Sequence, residues 1–182
     1  MKPALFRAAF LFAGALVQVS LSNTIFLSPV ASPPILLALV VSITLFRGFS
    51  DSWRWAILSG LFLDALTLGR LGHASIEFVL FAAILSLTSK EILFEYHAGR
   101  ILLLGALMWL FEGAYRLIEV LAFPLVFDQS VSLSAFFSGV HWTEIPISLL
   151  ISIGVCALAL PITFSFERYL DLFERAKIGR RR

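Results

Sequence analysis

The chain is poor in charged residues and almost without cysteine. Only 14% of its 182 residues are Asp, Glu, Lys or Arg, and Cys156 is its single cysteine. Soluble globular domains carry about a quarter charged residues, so this composition excludes a water-soluble fold. A single cysteine cannot build an internal disulfide framework and gives no indication of the redox compartment.

The sequence also lacks the common motifs of catalysis and cofactor binding. It contains no HExxH, no glycine-rich phosphate loop and no nucleophile with a recognisable base partner. The three histidines, His73, His97 and His141, stand apart from cysteine or carboxylate at zinc-ligand spacing. We therefore expect a protein that is not an enzyme, with no metal, no cofactor and no nucleic-acid partner.

Long apolar runs are abundant instead. Hydrophobic residues make up 59% of the chain, and blocks such as "ILLALVVSITLF" show no two-residue alternation of the kind that membrane strands require. About 20 helical residues cross a bilayer core of about 30 Å, and a helix satisfies its own backbone hydrogen bonds in lipid. The sequence predicts an all-α membrane protein, a six-transmembrane-helix bundle that forms one domain over residues 1–182. The predicted spans are about 7–27, 32–47, 53–69, 73–89, 101–126 and 143–166.

The second of these spans is the shortest, and the placement of basic residues predicts the orientation of all six. Pro29, Pro33 and Pro34 precede the second span, which indicates a thin or partly re-entrant segment. With the N-terminus inside, twelve of the 14 Lys and Arg residues fall in cytoplasmic segments, Arg70 falls in an outer loop and Arg116 falls within a span. This asymmetry predicts that both termini are cytoplasmic.

Several charged residues fall inside the predicted spans, all in their outer half. A charge at such depth costs at least ~2.5 kcal/mol, so its side chain should face protein or water rather than lipid. The sequence therefore predicts a polar groove between helices, open to the outside, that could bind a partner. In the fifth span the residues lie four and three apart on one helix face, and they could instead form an internal salt-bridge ladder. The groove residues are Glu77, Glu112, Arg116, Glu119 and Glu144, with Asp64 nearby.

Asp64 belongs to the stretch "SGLFLDALTLGRLGH", residues 59–73. Two roles are open to its carboxylate, which could accept backbone hydrogen bonds from the turn at 69–72 or contact a ligand. Gly60 and Gly69 suit close helix packing or a tight turn. Gly72 suits a turn with positive φ before the fourth span.

The chain closes on "FERYLDLFERAKIGRRR", predicted to form a basic cytoplasmic tail over residues 167–182. An apolar stripe and an acidic stripe alternate at helical spacing, which predicts an amphipathic helix along the inner surface. The basic cluster at its end would bind anionic lipid with about 1 kcal/mol per residue, or serve only as a topology anchor. The apolar stripe is Phe166, Tyr169, Leu170 and Phe173, the acidic stripe is Glu167, Asp171 and Glu174, and the basic cluster is Arg180, Arg181 and Arg182.

The run from "SPPILLALVVSITLFRG" through "WRWAILSGLFLDALTLGRLGHASIEFVLFAAIL" resembles the bacterial rod shape-determining MreD family. Gly60 and Asp64 match that family's Gly-x-x-x-Asp helix, Leu71 and Gly72 match its Leu-Gly turn, and Pro161 matches its late proline. The resemblance covers residues 32–90. Chain length, six spans and a basic tail agree with it.

This resemblance implies a non-catalytic subunit of the cell-wall elongation complex in the bacterial cytoplasmic (inner) membrane, which helps to determine rod shape. The implied partners are MreC, the MreB filament and the enzymes of peptidoglycan synthesis. The family is similar in fold to the substrate-binding subunits of energy-coupling-factor vitamin transporters. Such a subunit is the alternative function, with the outer polar zone as ligand pocket and Ala9 and Ala13 contacting the energising subunit. An intramembrane acid-base enzyme ranks last.

Overall fold

A computed structural model describes residues 3–24, 33–67, 71–92, 98–127 and 144–179 of the chain. Over these ranges the backbone forms helices and no strand, which confirms the all-α prediction, and each predicted span falls on one helix. The helices are α1 (Pro3–Thr24), α2 (Ile35–Arg47), α3 (Phe49–Thr67), α4 (His73–Ile92), α5 (Ala98–Phe127) and α6 (Glu144–Gly179).

Two helices of the described part are long and apolar enough to cross a membrane. They cover Pro3–Ser22 in α1 and Ile145–Phe173 in α6. Shorter apolar stretches occupy Ile35–Arg47, His73–Leu87 and Ile101–Tyr115. Length and composition of the described residues therefore identify two membrane-spanning candidates, not six.

Successive helices run in opposite directions along the bundle. At one end the Asp64 side chain contacts Gly72 between α3 and α4, and we call this the hairpin end. At the other end Arg7 of α1 and Arg47 of α2 both contact Glu167 of α6, and we call this the ion-pair end. The start of α1 and the last turns of α6 therefore lie together. Intermediate contacts that agree with these directions are Gln18–Leu36, Phe81–Phe111 and Trp109–Ser148.

The shortest helix, α2, is the central one. It has 13 residues, about 20 Å at 1.5 Å per residue, which is less than the bilayer core of about 30 Å. Every residue from Leu36 to Thr44 is buried, and α2 packs against α1, α3, α4 and α6. At its first turn the Leu36 N–H donates to Gln18 Oε1 of α1 at 2.8 Å. This contact satisfies one of the backbone donors that a helix start leaves open.

A buried ion-pair network joins three helices at the ion-pair end. The Glu167 side chain is 0% exposed. Arg7 Nε and Nη2 donate to its two carboxylate oxygens at 2.7 and 2.9 Å, and Arg47 Nε donates to Oε2 at 2.6 Å. Arg47 Nη2 also reaches Asp171 Oδ1 at 2.8 Å. Two cations and two anions balance, and both carboxylate oxygens of Glu167 accept hydrogen bonds, which offsets the cost of burying this charge.

The network corrects the sequence-based interpretation of the tail. Glu167 was expected on a surface stripe of a tail beginning at residue 167, but it lies in the bundle interior. Tyr169 and Phe173 of the apolar stripe are instead 66% and 48% exposed. Glu167 can lie inside because Arg7 and Arg47 neutralise it there, and Leu170 of the apolar stripe is also buried, at 3%. Helix α6 continues unbroken to Gly179 over 36 residues.

We predict that Glu167→Gln lowers the free energy of unfolding by about 3 kcal/mol, because two buried guanidinium groups lose their shared anion. Asp171→Asn is the matched control, and we expect it to lower the free energy of unfolding by about 1 kcal/mol at most, since its side chain is 40% exposed. Unfolding of the purified protein in detergent measures both. Equal destabilisation by the two substitutions would contradict a central role for Glu167.

Candidate functional site

The hairpin end is organised around the buried carboxylate of Asp64. Asp64 is 4% exposed, and its Oδ2 and Oδ1 accept backbone N–H bonds from Gly72 at 2.7 Å and Ala74 at 3.2 Å. Helix α4 starts at His73, so a side chain of α3 caps the first turn of α4. The partial positive charge of a helix N-terminus favours a carboxylate at this place. Of the two roles considered for Asp64, the structure shows the first, in which its carboxylate accepts backbone hydrogen bonds from the turn.

Gly72 supplies the chain reversal that lets this cap form. Its φ is +93°, a backbone conformation that glycine adopts without the steric penalty of a Cβ. The Gly72 N–H then points to Asp64, and the Ile76 N–H donates to the Gly72 carbonyl at 3.0 Å. Gly72 therefore serves both as the turn residue and as the start of the hydrogen-bond ladder of α4.

Gly60 brings α3 and α4 into backbone contact one turn away from the cap. A Cβ at Gly60 would lie 2.2 Å from the backbone nitrogen of Ser75 and 2.6 Å from the carbonyl carbon of Ala74. Ser75 Oγ also donates to the Ile57 carbonyl at 3.0 Å. Because Gly60 and Asp64 lie four residues apart on one helix face, both act on the first turn of α4. We call these residues, Gly60, Asp64, Gly72 and Ser75, the α3–α4 joint.

Aromatic side chains connect this joint to α5. Tyr115 Oη donates to the His73 carbonyl at 3.2 Å, and the two rings lie 5.1 Å apart. Phe111 packs on Phe81 of α4 with ring centroids 4.6 Å apart. The start of α4 is therefore held on one side by Asp64 and on the other by Tyr115.

Two of the predicted groove carboxylates lie close to these contacts in sequence. Glu77 follows His73 by one turn of α4, Glu112 precedes Tyr115 by one turn of α5, and both are half-buried. The other predicted residues fall outside the described part of the structure. These are the side chains of Arg116, Glu119 and Glu144, together with Gly69 and Arg180, Arg181 and Arg182. In the described ranges, no group of three His, Cys, Asp or Glu side chains is placed to hold a metal ion.

Sequence reasoning missed the partners of the basic residues at the ion-pair end. Arg7 and Arg47 were treated only as markers of orientation, whereas both bond to Glu167. The available signal was an acidic residue, Glu167, at the end of the last apolar run. Its partners lie 160 and 120 residues away, a separation over which helical periodicity carries no information.

Comparison with known proteins found no matching family model, no similar curated protein and no similar solved structure. The site is therefore interpreted from its own geometry. Both oxygens of Asp64 accept hydrogen bonds from backbone donors, which suits a carboxylate that holds α3 against the start of α4. These contacts fix α3 relative to α4. They also hold the start of α4 against α5.

We predict that Gly60→Ala destabilises the protein by about 2 kcal/mol, because the added methyl group meets the backbone of α4 and the helices must separate. Gly113→Ala on α5 is the matched control. A Cβ there meets nothing within 4 Å, so the higher helix propensity of alanine should leave stability unchanged or raise it by about 0.5 kcal/mol. Thermal unfolding in detergent compares the two variants. Equal transition temperatures would contradict the close α3–α4 contact.

Proposed function

We propose that this chain is a non-catalytic inner-membrane subunit of the bacterial cell-wall elongation complex, similar in role to MreD. In this proposal its helices cross the membrane six times, both termini are cytoplasmic, and the bundle binds MreC. Through that contact it connects the MreB filament to the enzymes of peptidoglycan synthesis. The single observation that supports it best is the α3–α4 joint. Gly60, Asp64 and Gly72 are the residues through which the chain resembles that family, and all three are used in one structural unit.

Several features of the fold support the membrane part of the proposal. The helices alternate in direction, and the first and last helices have their terminal turns at the same end. Exposed apolar side chains also lie on helices other than the two long candidates, α1 and α6. Examples are Leu87 on α4, which is 83% exposed, and Leu110 on α5, which is 57% exposed. In water such a surface would promote aggregation, whereas acyl chains accept it. The short α2 is enclosed by its neighbours, so its length does not limit the bundle.

An adaptor fits the joint better than an enzyme does. A catalytic carboxylate needs an oxygen within reach of a substrate, but Asp64 is only 4% exposed and already accepts a backbone hydrogen bond on each oxygen. A rigid joint instead keeps the outer faces of α3 and α4 in a constant position. Constant geometry is what a partner helix in a membrane requires, because packing and not hydrophobicity drives helix association there.

One observation favours the alternative, a vitamin-binding transporter subunit. Ala9 and Ala13 are exposed on α1, so this small-residue face is available to a partner helix. The same face could serve an elongation complex, and shared fold does not decide function. Depletion in the source bacterium separates the two. Rounding of rod-shaped cells supports the adaptor, while unchanged shape with a new vitamin requirement supports the transporter and overturns the adaptor.

We predict that Asp64→Leu reduces copurification of MreC much more than Arg180→Ala does. The leucine leaves the Gly72 and Ala74 N–H groups buried without acceptors, at about 1–3 kcal/mol each, and so loosens the joint. Asp64→Asn retains one acceptor oxygen and should give an intermediate yield. Expression level is measured in parallel. Equal expression with equal MreC recovery for Asp64→Leu and Arg180→Ala would count against the proposal.

A further inference from the structure

The arginines at the ion-pair end fall into two classes that the sequence does not separate. Arg7 and Arg47 point inward and neutralise Glu167 and Asp171. Arg54 on α3 and Arg168 on α6 are exposed, and the ion pairs found in the described part of the chain do not include them. Two cations therefore remain available to a ligand outside the bundle.

Both exposed arginines lie at the level of the network along the bundle axis. Arg168 follows Glu167 directly in α6. Arg54 precedes Trp55, whose ring lies 5.8 Å from the guanidinium carbon of Arg7. Since one residue advances a helix by about 1.5 Å, both arginines fall within about one turn of the buried ion pairs.

Arg168 is a charged residue on an otherwise apolar exposed surface of α6, since Leu172 and Phe173 beyond it are 59% and 48% exposed. On α6, Ile162 and Phe164 are 53% and 44% exposed, and Arg168 follows one turn later. Exposed charge is costly in hydrocarbon, so the guanidinium group of Arg168 should reach the headgroup layer rather than stay among acyl chains. The headgroup layer adds about 5–8 Å on each side of the core, and that thickness includes Arg168 and its neighbours.

Each exposed arginine is next in sequence to an exposed aromatic residue. The guanidinium carbon of Arg54 lies 5.3 Å from the ring centroid of Trp53, which is 37% exposed. Tyr169 follows Arg168 and is 66% exposed. Trp and Tyr favour the headgroup layer of a bilayer, and arginine binds phosphate through paired N–H donors. Asp51 is the exposed carboxylate within a turn of Arg54. Asp171, with a side chain that is 40% exposed, lies within a turn of Arg168 but pairs with Arg47, so the two exposed arginines exceed the carboxylates left to them.

We propose that Arg54 with Trp53, and Arg168 with Tyr169, form a rim that binds the phosphate headgroups of anionic phospholipids. This inference rests on the membrane embedding in the proposed function but assigns lipid contact to residues other than Arg180, Arg181 and Arg182. It does not depend on which end of the bundle faces the cytoplasm, because the rim lies at one end only. The rim arginines bind lipid, and the network arginines hold the helices together.

The test measures retention of phosphatidylglycerol over phosphatidylcholine by the purified chain, using native mass spectrometry after release from mixed vesicles. In the Arg54→Gln/Arg168→Gln variant, the ratio of retained phosphatidylglycerol to phosphatidylcholine should fall about fivefold for each arginine replaced. This corresponds to about 1 kcal/mol each. A triple variant, Arg180→Gln/Arg181→Gln/Arg182→Gln, is the matched control. Unfolding in phosphatidylcholine alone checks that the rim variant is folded.

A rim variant that keeps the wild-type preference overturns the proposal, whatever the tail variant does. If the double variant does not fold, Arg54→Gln and Arg168→Gln are measured singly, and unchanged preference in both also overturns it. The measurement uses no protein partner. Its result is therefore independent of cell shape and of MreC recovery, and either proposal can fail while the other stands.

Discussion

Buried carboxylates set the geometry of this bundle, because each requires hydrogen-bond donors on both of its oxygens. Glu167 obtains them from Arg7 and Arg47, which belong to two other helices. Asp64 obtains them from backbone N–H groups of Gly72 and Ala74. A carboxylate left half-satisfied in a medium of low dielectric would cost several kcal/mol. Helix positions that do not bring these donors into place are therefore unfavourable.

The two carboxylates act at opposite ends and on different parts of the chain. Glu167 joins the first, second and last helices, so it closes the bundle across almost the whole sequence. Asp64 joins only α3 and α4, through residues eight and ten positions away. Between them α2 fills the interior with apolar side chains. At its start the Leu36 N–H donates a hydrogen bond to the Gln18 side chain. Specific polar contacts thus fix the ends, while nonspecific packing fills the centre.

This division explains what could be predicted from the sequence. The helices follow from apolar runs, the turn at Gly72 follows from local turn chemistry, and the cap was one of the two roles open to Asp64, since cap and turn lie within one hairpin. Glu167 could not be placed in the same way. Periodicity separates an apolar from an acidic stripe on α6 but does not say which residues of each face inward, and for Glu167 that depends on arginines of α1 and α2. Only the packed helices show that Tyr169 is outside and Glu167 is inside.

The same reasoning limits what a count of arginines can say about a membrane protein. The positive-inside asymmetry treats Arg7, Arg47, Arg54 and Arg168 as equivalent, because it depends on charge near the ends of spans. Their environments differ, since Arg7 and Arg47 are paired with carboxylates, whereas Arg54 and Arg168 are exposed. An arginine in the first class contributes to folding and gives little attraction to a membrane surface. An arginine in the second class keeps its charge available to groups outside the bundle.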